Sequence, residues 1–416
     1  MSRTDRFHKT NPKTTDKRNP FPIDRDRLLY SSAFRHLSGV TQVISAIEGE
    51  ITHNRLTHSL KVAQVSRRLT EQLQSNYPDE VEKIGGIDPD VTETSALAHD
   101  LGHPPFGHVA EEVLNECVGA EGYEGNAQTF RIINKLCLHR DKYDGLNLTK
   151  ATLNAVLKYP WLKKEGNNKW GAYKTEKDIF GWVRNDAGDE RKSPEAEIMD
   201  WADDITYAVH DLEDFVRAGL IPLFLHNNEN ENKDEKDKFL KKARQRLEVT
   251  GDGEWSKYEN AYKRLGSLIP FYGPYVGDTE QRINMRKFTS ILISRYINVF
   301  KLNVPRDNTQ KYATIPDSDR IETTLLKQLT WHYVIENPSL AIQQFGFKKV
   351  IKDLFQVYND KKNDRLVPPL LWFTRDDNAS QARIAADIVS SMTDSQALNL
   401  HKRLFGISPG SVSEWL

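Results

Sequence analysis

Histidine is the densest chemical signal in this chain. Five of its 12 histidines fall between His53 and His108, and three stand in Ala98-His99-Asp100-Leu101-Gly102-His103-Pro104-Pro105-Phe106-Gly107-His108. The pattern predicts a helix over residues 94–101, with Gly102 ending it in a left-handed cap and Pro104-Pro105 preventing its continuation. His99 and Asp100 then occupy the last turn. Neighbouring helical residues point about 100° apart, near the angle between adjacent ligands of an octahedral ion, so this imidazole and this carboxylate can serve one metal. For such a pair taken alone, a core histidine beside a capping Asp is the simpler account.

Two further features bear on that choice. His58 shares a helical line with Val62 and Val65 and therefore faces inward, where an imidazole needs a hydrogen-bond partner or a metal. Asp203, Tyr207 and Asp211 fall at i, i+4 and i+8 beside an apolar stripe. Carboxylates so spaced usually face solvent, but the ring of Tyr207 between them suggests an enclosed cleft. Together two His and two Asp make a nitrogen and oxygen set that suits Mn, Fe, Mg, Ni or Zn and leaves positions for water and substrate. His108 and Glu111 stand at i, i+3, where a carboxylate can orient an imidazole; a helix start with a first-turn acid has the same spacing.

The elements that must position these residues read as helices. His58, Val62, Val65, Leu69 and Leu73 share one face, as do Ile198, Ala202, Ile205, Val209 and Leu212. Ser193-Pro194 can start the second of these helices and Gly219 can stop it. Amphipathic spacing continues at Phe288, Leu292 and Val299, then at Val350, Leu354 and Val357. Alternating runs are scarce, with residues 41–51 the best hairpin candidate. Residues 163–188 and 226–238 are rich in Gly, Asn, Lys, Glu and Asp and read as solvated excursions. The expected organisation is a polar basic arm over residues 1–20, a catalytic core over 21–225, the charged excursion 226–238, and a helical region over 239–416 packed on the core.

Composition limits the rest. The 416 residues are 38% hydrophobic and 28% charged, which suits a folded chain with a large core. Lys+Arg 58 against Asp+Glu 59 gives a formal charge of -1, so affinity for anions must come from local clusters. Two cysteines, Cys117 and Cys137, exclude a disulfide scaffold and Cys-based structural zinc, and point to a reducing compartment. No apolar run approaches the roughly 18 residues of a membrane span, and the first twenty residues lack a signal peptide's apolar core. A cytoplasmic protein without a membrane partner is expected.

The residues His58, His99-Asp100 and Asp203 resemble the metal set of the HD-domain phosphohydrolases, and their surroundings resemble the deoxyguanosinetriphosphate triphosphohydrolase family. The likeness takes in Arg25-Asp26-Arg27, Phe34-Arg35-His36-Leu37, Thr41-Gln42-Val43 and Asn54-Arg55-Leu56-Thr57-His58. It continues through the segment ending at His108, Tyr123-Glu124-Gly125-Asn126, Lys158-Tyr159-Pro160 and Ala202-Asp203-Asp204-Ile205-Thr206-Tyr207. It closes with Ala385-Ala386-Asp387-Ile388, Met392-Thr393-Asp394 and Arg403-Leu404-Phe405-Gly406.

The resemblance implies an all-α fold, an HD-domain helical core with additional C-terminal helices and at most a small hairpin near the N-terminus. It implies hydrolysis of a deoxynucleoside triphosphate (dNTP) to deoxynucleoside and tripolyphosphate with one divalent ion on His58, His99, Asp100 and Asp203. His108 and Glu111 match the catalytic pair. Arg55, Lys158 and Tyr159 match phosphate contacts, Gln42 a contact near the 3′ hydroxyl, and Tyr207 and Asp211 the residues against the deoxyribose. Asn126 and His103 match positions close to the phosphates, and His103 is equally placed to support a metal ligand. A homo-oligomer is implied, as is an activator that is a dNTP or single-stranded DNA. Two rivals remain: another HD-type nucleotidase or phosphodiesterase, and a single-stranded nucleic-acid-binding regulator suggested by the basic residues from Arg3 to Arg27.

Overall fold

The computed structural model describes residues 2–9, 17–43, 54–185, 190–229, 232–367 and 378–406. The architecture is all-α. The first half holds α1 (Pro20–Leu29), α2 (Ser32–His36), α3 (Arg55–Asn76), α4 (Pro78–Lys83), α5 (Pro89–Ala98), α6 (His108–Val118), α7 (Gly125–Arg131), α8 (Lys150–Val156), α9 (Lys177–Arg184) and α10 (Pro194–Arg217). The second holds α11 (Lys233–Arg246), α12 (Asp252–Leu268), α13 (Thr279–Asn298), α14 (Asp317–Thr330), α15 (Pro338–Asn359), α16 (Gln381–Ser390) and α17 (Asp394–Phe405).

Three helices frame the site. Helix α3 starts where the Asn54 side chain accepts the Thr57 N–H at 3.0 Å, and Val62, Val65, Leu69 and Leu73 turn into the core. Helix α5 starts at Asp88-Pro89 and packs along α3. Helix α10 starts with the Ser193 hydroxyl on the Ala196 N–H and Pro194 in its first turn. It crosses α3 and α5 and carries α13 and α14 on another face. Gly219, at φ +73°, lies just past its end.

The structure corrects several expectations. The small hairpin among the described residues pairs β1 (Lys301–Leu302) with β2 (Ala313–Thr314), in the second half rather than near the N-terminus. Most of residues 41–51 lies outside the described residues, although Thr41 and Asn54 form an antiparallel bridge. Residues 2–9 of the opening arm, whose composition suggests a surface tail, are tied down: Arg6 pairs with the buried Asp24 at 2.6 Å, Lys150 N donates to Asp5 O at 2.8 Å, and Arg3 pairs with Glu195. In the span 163–188, Trp170 and Tyr173 are buried against Ala127 and residues 177–184 form α9. In 226–238, His226 and Asn227 are buried and α11 already runs from Lys233. In both spans a few inward aromatic or hydrogen-bonded side chains override a polar composition.

Candidate active site

The segment after α5 is built by close backbone approach. Helix α5 stops at Ala98, and His99 to Gly102 continue as turn. Gly102 is not left-handed, contrary to expectation. A Cβ there would meet Gly125 O at 2.1 Å and Thr129 N at 2.3 Å, so steric contact with α7 requires glycine. The left-handed residues are Phe106 at φ 65° and Gly107 at φ 64°. Phe106 is held in this costly conformation by its N–H on Asp394 Oδ1 at 2.8 Å and by its ring stacked 4.0 Å from Phe347. The turn delivers His108 to the first position of α6.

Four donor atoms converge where α3, α5 and α10 meet. His58 Nε2 lies 3.0 Å from Asp203 Oδ1, and His99 Nε2 lies 3.6 Å from that oxygen and 3.4 Å from Asp100 Oδ1. The other oxygen of each carboxylate holds a cation: Asp100 Oδ2 accepts Arg55 Nη1 at 2.6 Å, and Asp203 Oδ2 accepts Lys158 Nζ at 2.9 Å. Lys158 also reaches Asp200 at 2.9 Å. His58, His99 and Asp203 offer ligand atoms all within 4.8 Å of one another. Asp100 stands at the edge, shared with Arg55 and with His103 Nδ1 at 3.1 Å.

Protonation fits a cation at this point. The carbonyl of Ala96 can only accept, so His99 Nδ1–H donates to it at 2.6 Å. That bond directs Nε2 into the cluster, where it is buried without a hydrogen-bond partner. Burial lowers the His99 pKa, but Asp100 and Asp203 outweigh it and raise it to about 9. Burial raises the carboxyls too, yet His99 and Arg55 hold Asp100, and Lys158 and His99 hold Asp203, well below the usual range. The carboxylates therefore stay ionised and demand positive charge at His99 Nε2.

A second group adjoins the first through His103, whose ring meets that of His108 at 5.0 Å. His108 Nδ1 lies 2.8 Å from Glu111 Oε2, and its side chain is 71% exposed. Burial raises the Glu111 pKa, but the His108 bond and the charge of Lys169 bring it below the usual range. An ionised carboxylate can only accept, so His108 Nδ1 is the donor. Glu111 Oε1 is occupied by Gly125 N and Lys169 Nζ, each at 3.0 Å. Burial, reinforced by Arg55, lowers His103 to about 4 and leaves it neutral.

The remaining candidates are placed unequally. Asp211 is buried with Oδ2 lacking a hydrogen-bond partner, and burial raises its pKa to about 6. Gln42 likewise has a buried Oε1 without a partner. Tyr207 lies between Asp203 and Asp211, with Lys327 Nζ 5.6 Å from its ring centroid. Tyr159 packs edge-on to Trp161 beside Lys158. Asn126 Nδ2 donates to Glu124 Oε1 at 2.8 Å. Asp200, Lys169 and Lys327 had no place in the sequence analysis, and Asp394 was quoted there without a role. Asp200 stands one turn before Asp203 and was readable from spacing; the other three arrive from distant segments.

The comparisons agree with this geometry. Residues 55–208 match the HD domain and residues 313–403 the phosphohydrolase-associated domain. The fold and the clustered His and Asp residues thus define an HD-domain phosphohydrolase. Over 413 residues the chain is 34% identical to a deoxyguanosinetriphosphate triphosphohydrolase-like protein of Streptomyces coelicolor, covering 94% of this chain and 93% of the relative. Proteins of the same name from Corynebacterium efficiens, 34% identical with 97% of each chain covered, and Shewanella woodyi, 31% identical over 98% of this chain and 97% of the relative, are also similar. The chain belongs to the deoxyguanosinetriphosphate triphosphohydrolase-like family. No helix among its described residues is long and apolar enough to cross a membrane.

Proposed function

We propose that the chain hydrolyses deoxynucleoside triphosphates to deoxynucleoside and inorganic tripolyphosphate. The observation that carries this reading is the convergence of His58 Nε2, His99 Nε2, Asp100 Oδ1 and Asp203 Oδ1 beside the His108–Glu111 pair. The four residues would hold one divalent ion, Mg, Mn, Fe, Ni or Zn, which supplies charge for phosphate oxygens and lowers the pKa of water.

The chain's own groups do the rest. Arg55, Lys158 and Tyr159 offer donors to the phosphates, and neutral His103 stands beside Asp100. Asp211 and Gln42 carry unpartnered buried oxygens that can accept from sugar hydroxyls, while the Tyr207 ring fills the space a 2′ hydroxyl would need. The departing 5′ oxygen requires a proton. His108, with Nδ1–H held by ionised Glu111, delivers it from the outward nitrogen in its doubly protonated form. Asn126 is the weakest of these assignments, since its amide is committed to Glu124.

Residues 21–225 form the catalytic core in this reading, and 239–416 support it through α14 on α10 and α15 on α6. Cysteine usage favours the cytoplasm. A homo-oligomer is proposed, with the exposed Ile342 and Phe345 of α15 available to it. The test is incubation with each dNTP, alone and in pairs, while tripolyphosphate is followed. Release of tripolyphosphate from at least one dNTP is expected, and acceleration by a second dNTP or by single-stranded DNA would identify an activator. Orthophosphate or pyrophosphate in its place would support a different HD-type nucleotidase.

A further inference from the structure

Beside the cleft lies a second cavity of about 420 Å³, within the size range of small-ligand sites. It opens between α10 and the segment 308–320, where the stretch matching the HD domain meets the stretch matching the phosphohydrolase-associated domain. From α10 it takes Glu197, Asp200, Trp201 and Asp204. These share one helical face, next to the stripe of Asp203, Tyr207 and Asp211. Of the cleft's residues only Asp200, the partner of Lys158, also lines the cavity.

Its charges are unevenly committed. Every acid on the wall has a partner. Glu197 accepts the backbone N–H groups of Tyr312 and Ala313 at 3.3 and 2.7 Å, and Asp200 is held by Lys158 at 2.9 Å and Lys192 at 2.6 Å. Asp204 pairs with Lys327, and Glu190 with Lys164. By contrast, the side chains of Lys311 and Arg320 make no hydrogen bond or ion pair among the described residues, and Arg320 stands 5.7 Å over the ring of Trp201. These two cations, neither in an ion pair, match the charge of one phosphate monoester, about -2 at neutral pH. The indole of Trp161, with Ala313 and Ile315, supplies apolar wall suited to a planar ring, while buried Trp201 backs Arg320.

We propose that this cavity is a second ligand site, for a nucleoside monophosphate whose base lies against Trp161 and whose phosphate rests on Lys311 and Arg320. The polar edges of Asn308 and Thr309 border the cavity and can meet the heteroatoms of a base. A monophosphate is neither substrate nor product of the hydrolysis proposed above.

The test is titration calorimetry of the full chain with dGMP as the probe, and with deoxyguanosine and inorganic phosphate as its two halves. Binding of one dGMP is expected, with either half far weaker. Because a hydrogen bond to a charged group contributes roughly 1.5–3 kcal/mol, Lys311→Ala and Arg320→Ala should each weaken dGMP about tenfold or more. Tyr207→Phe and His108→Ala should leave binding unchanged. Lys311 is exposed, so its variant tests the site even where loss of Arg320 disturbs packing on Trp201. The proposal is overturned by absence of dGMP binding, by phosphate alone binding as tightly, or by a dGMP complex that Tyr207→Phe weakens and Lys311→Ala does not. Calorimetry reads binding without turnover, so failure of the hydrolysis reading and failure of this one are separately visible.

Discussion

At His99 the two ring nitrogens have separate duties, one fixed on the Ala96 carbonyl and the other left bare among carboxylates. Replacing this ring with a methyl group removes the inward nitrogen and leaves Asp100 and Asp203 facing each other with less positive charge between them. His99→Ala should therefore lower the metal-to-protein ratio and turnover together. A fully loaded, fully active variant, measured by elemental analysis, would remove His99 from the metal set. His108 makes the complementary case, because it stands outside that cluster with Nδ1 on Glu111. His108→Ala should keep its metal and lose roughly 10²–10⁴-fold in rate, the usual scale for a positioned acid or base. In oxygen-labelled water the label should enter a terminal phosphate of tripolyphosphate. Label in the deoxynucleoside would show that water attacks carbon and not phosphorus.

Helices hold these residues, but the turn between α5 and α6 sets their spacing, and that turn is secured from the far end of the chain. Asp394, buried at the start of α17, accepts the Phe106 N–H at 2.8 Å and the Thr41 hydroxyl. It thus joins the backbone just before His108 to the residue just before Gln42. Asp394→Ala removes the acceptor of the Phe106 N–H, a loss of roughly 1–3 kcal/mol, loosens Thr41 and frees Phe106 to leave its left-handed conformation. We expect lower kcat and raised KM with normal metal content, since no metal-set residue touches Asp394. Rescue of the KM but not of stability by Asp394→Asn, which retains one acceptor, would support positioning. Unchanged kinetics in the Ala variant would limit Asp394 to stability. Sequence spacing was enough to place α3 and α10, because their apolar stripes are long and, for α10, the Ser193-Pro194 start is local. It misplaced the left-handed turn at Gly102 because the demand for glycine there comes from Gly125 and Thr129, more than twenty residues away. Lys169 was hidden for the same reason, in a polar stretch whose folding depends on burying Trp170 and Tyr173.

Over the whole molecule, several histidines are buried in their neutral form, and this couples the fold to pH. Burial lowers His36 to about 4 and His226 to about 3; His226 lies between the hydroxyls of Tyr262 and Tyr333 at 2.8 and 2.9 Å. The unfolded chain takes up these protons near pH 6.5, while the folded chain refuses them until about pH 4 and 3. The stabilising contribution is therefore complete above pH 6.5 and is lost as pH falls toward the folded values, at about 1.4 kcal/mol per pH unit for each histidine. Asp211 works the other way, because its folded pKa of about 6 lets the native chain bind a proton before the unfolded chain does, and it offsets about one histidine between pH 6 and 4. Neutral His103 adds to the first group, so loss on acidification should prevail. His99 does not enter this window, since its raised pKa acts above pH 6.5. Chelator-treated chain should thus show a falling urea midpoint from pH 7 to pH 5, and His36→Gln should flatten that slope by about 1.4 kcal/mol per pH unit. A midpoint that holds constant over this range, or an undiminished slope in the His36 variant, would mean that the buried rings are protonated in the native state and that their burial is relieved by water or local opening.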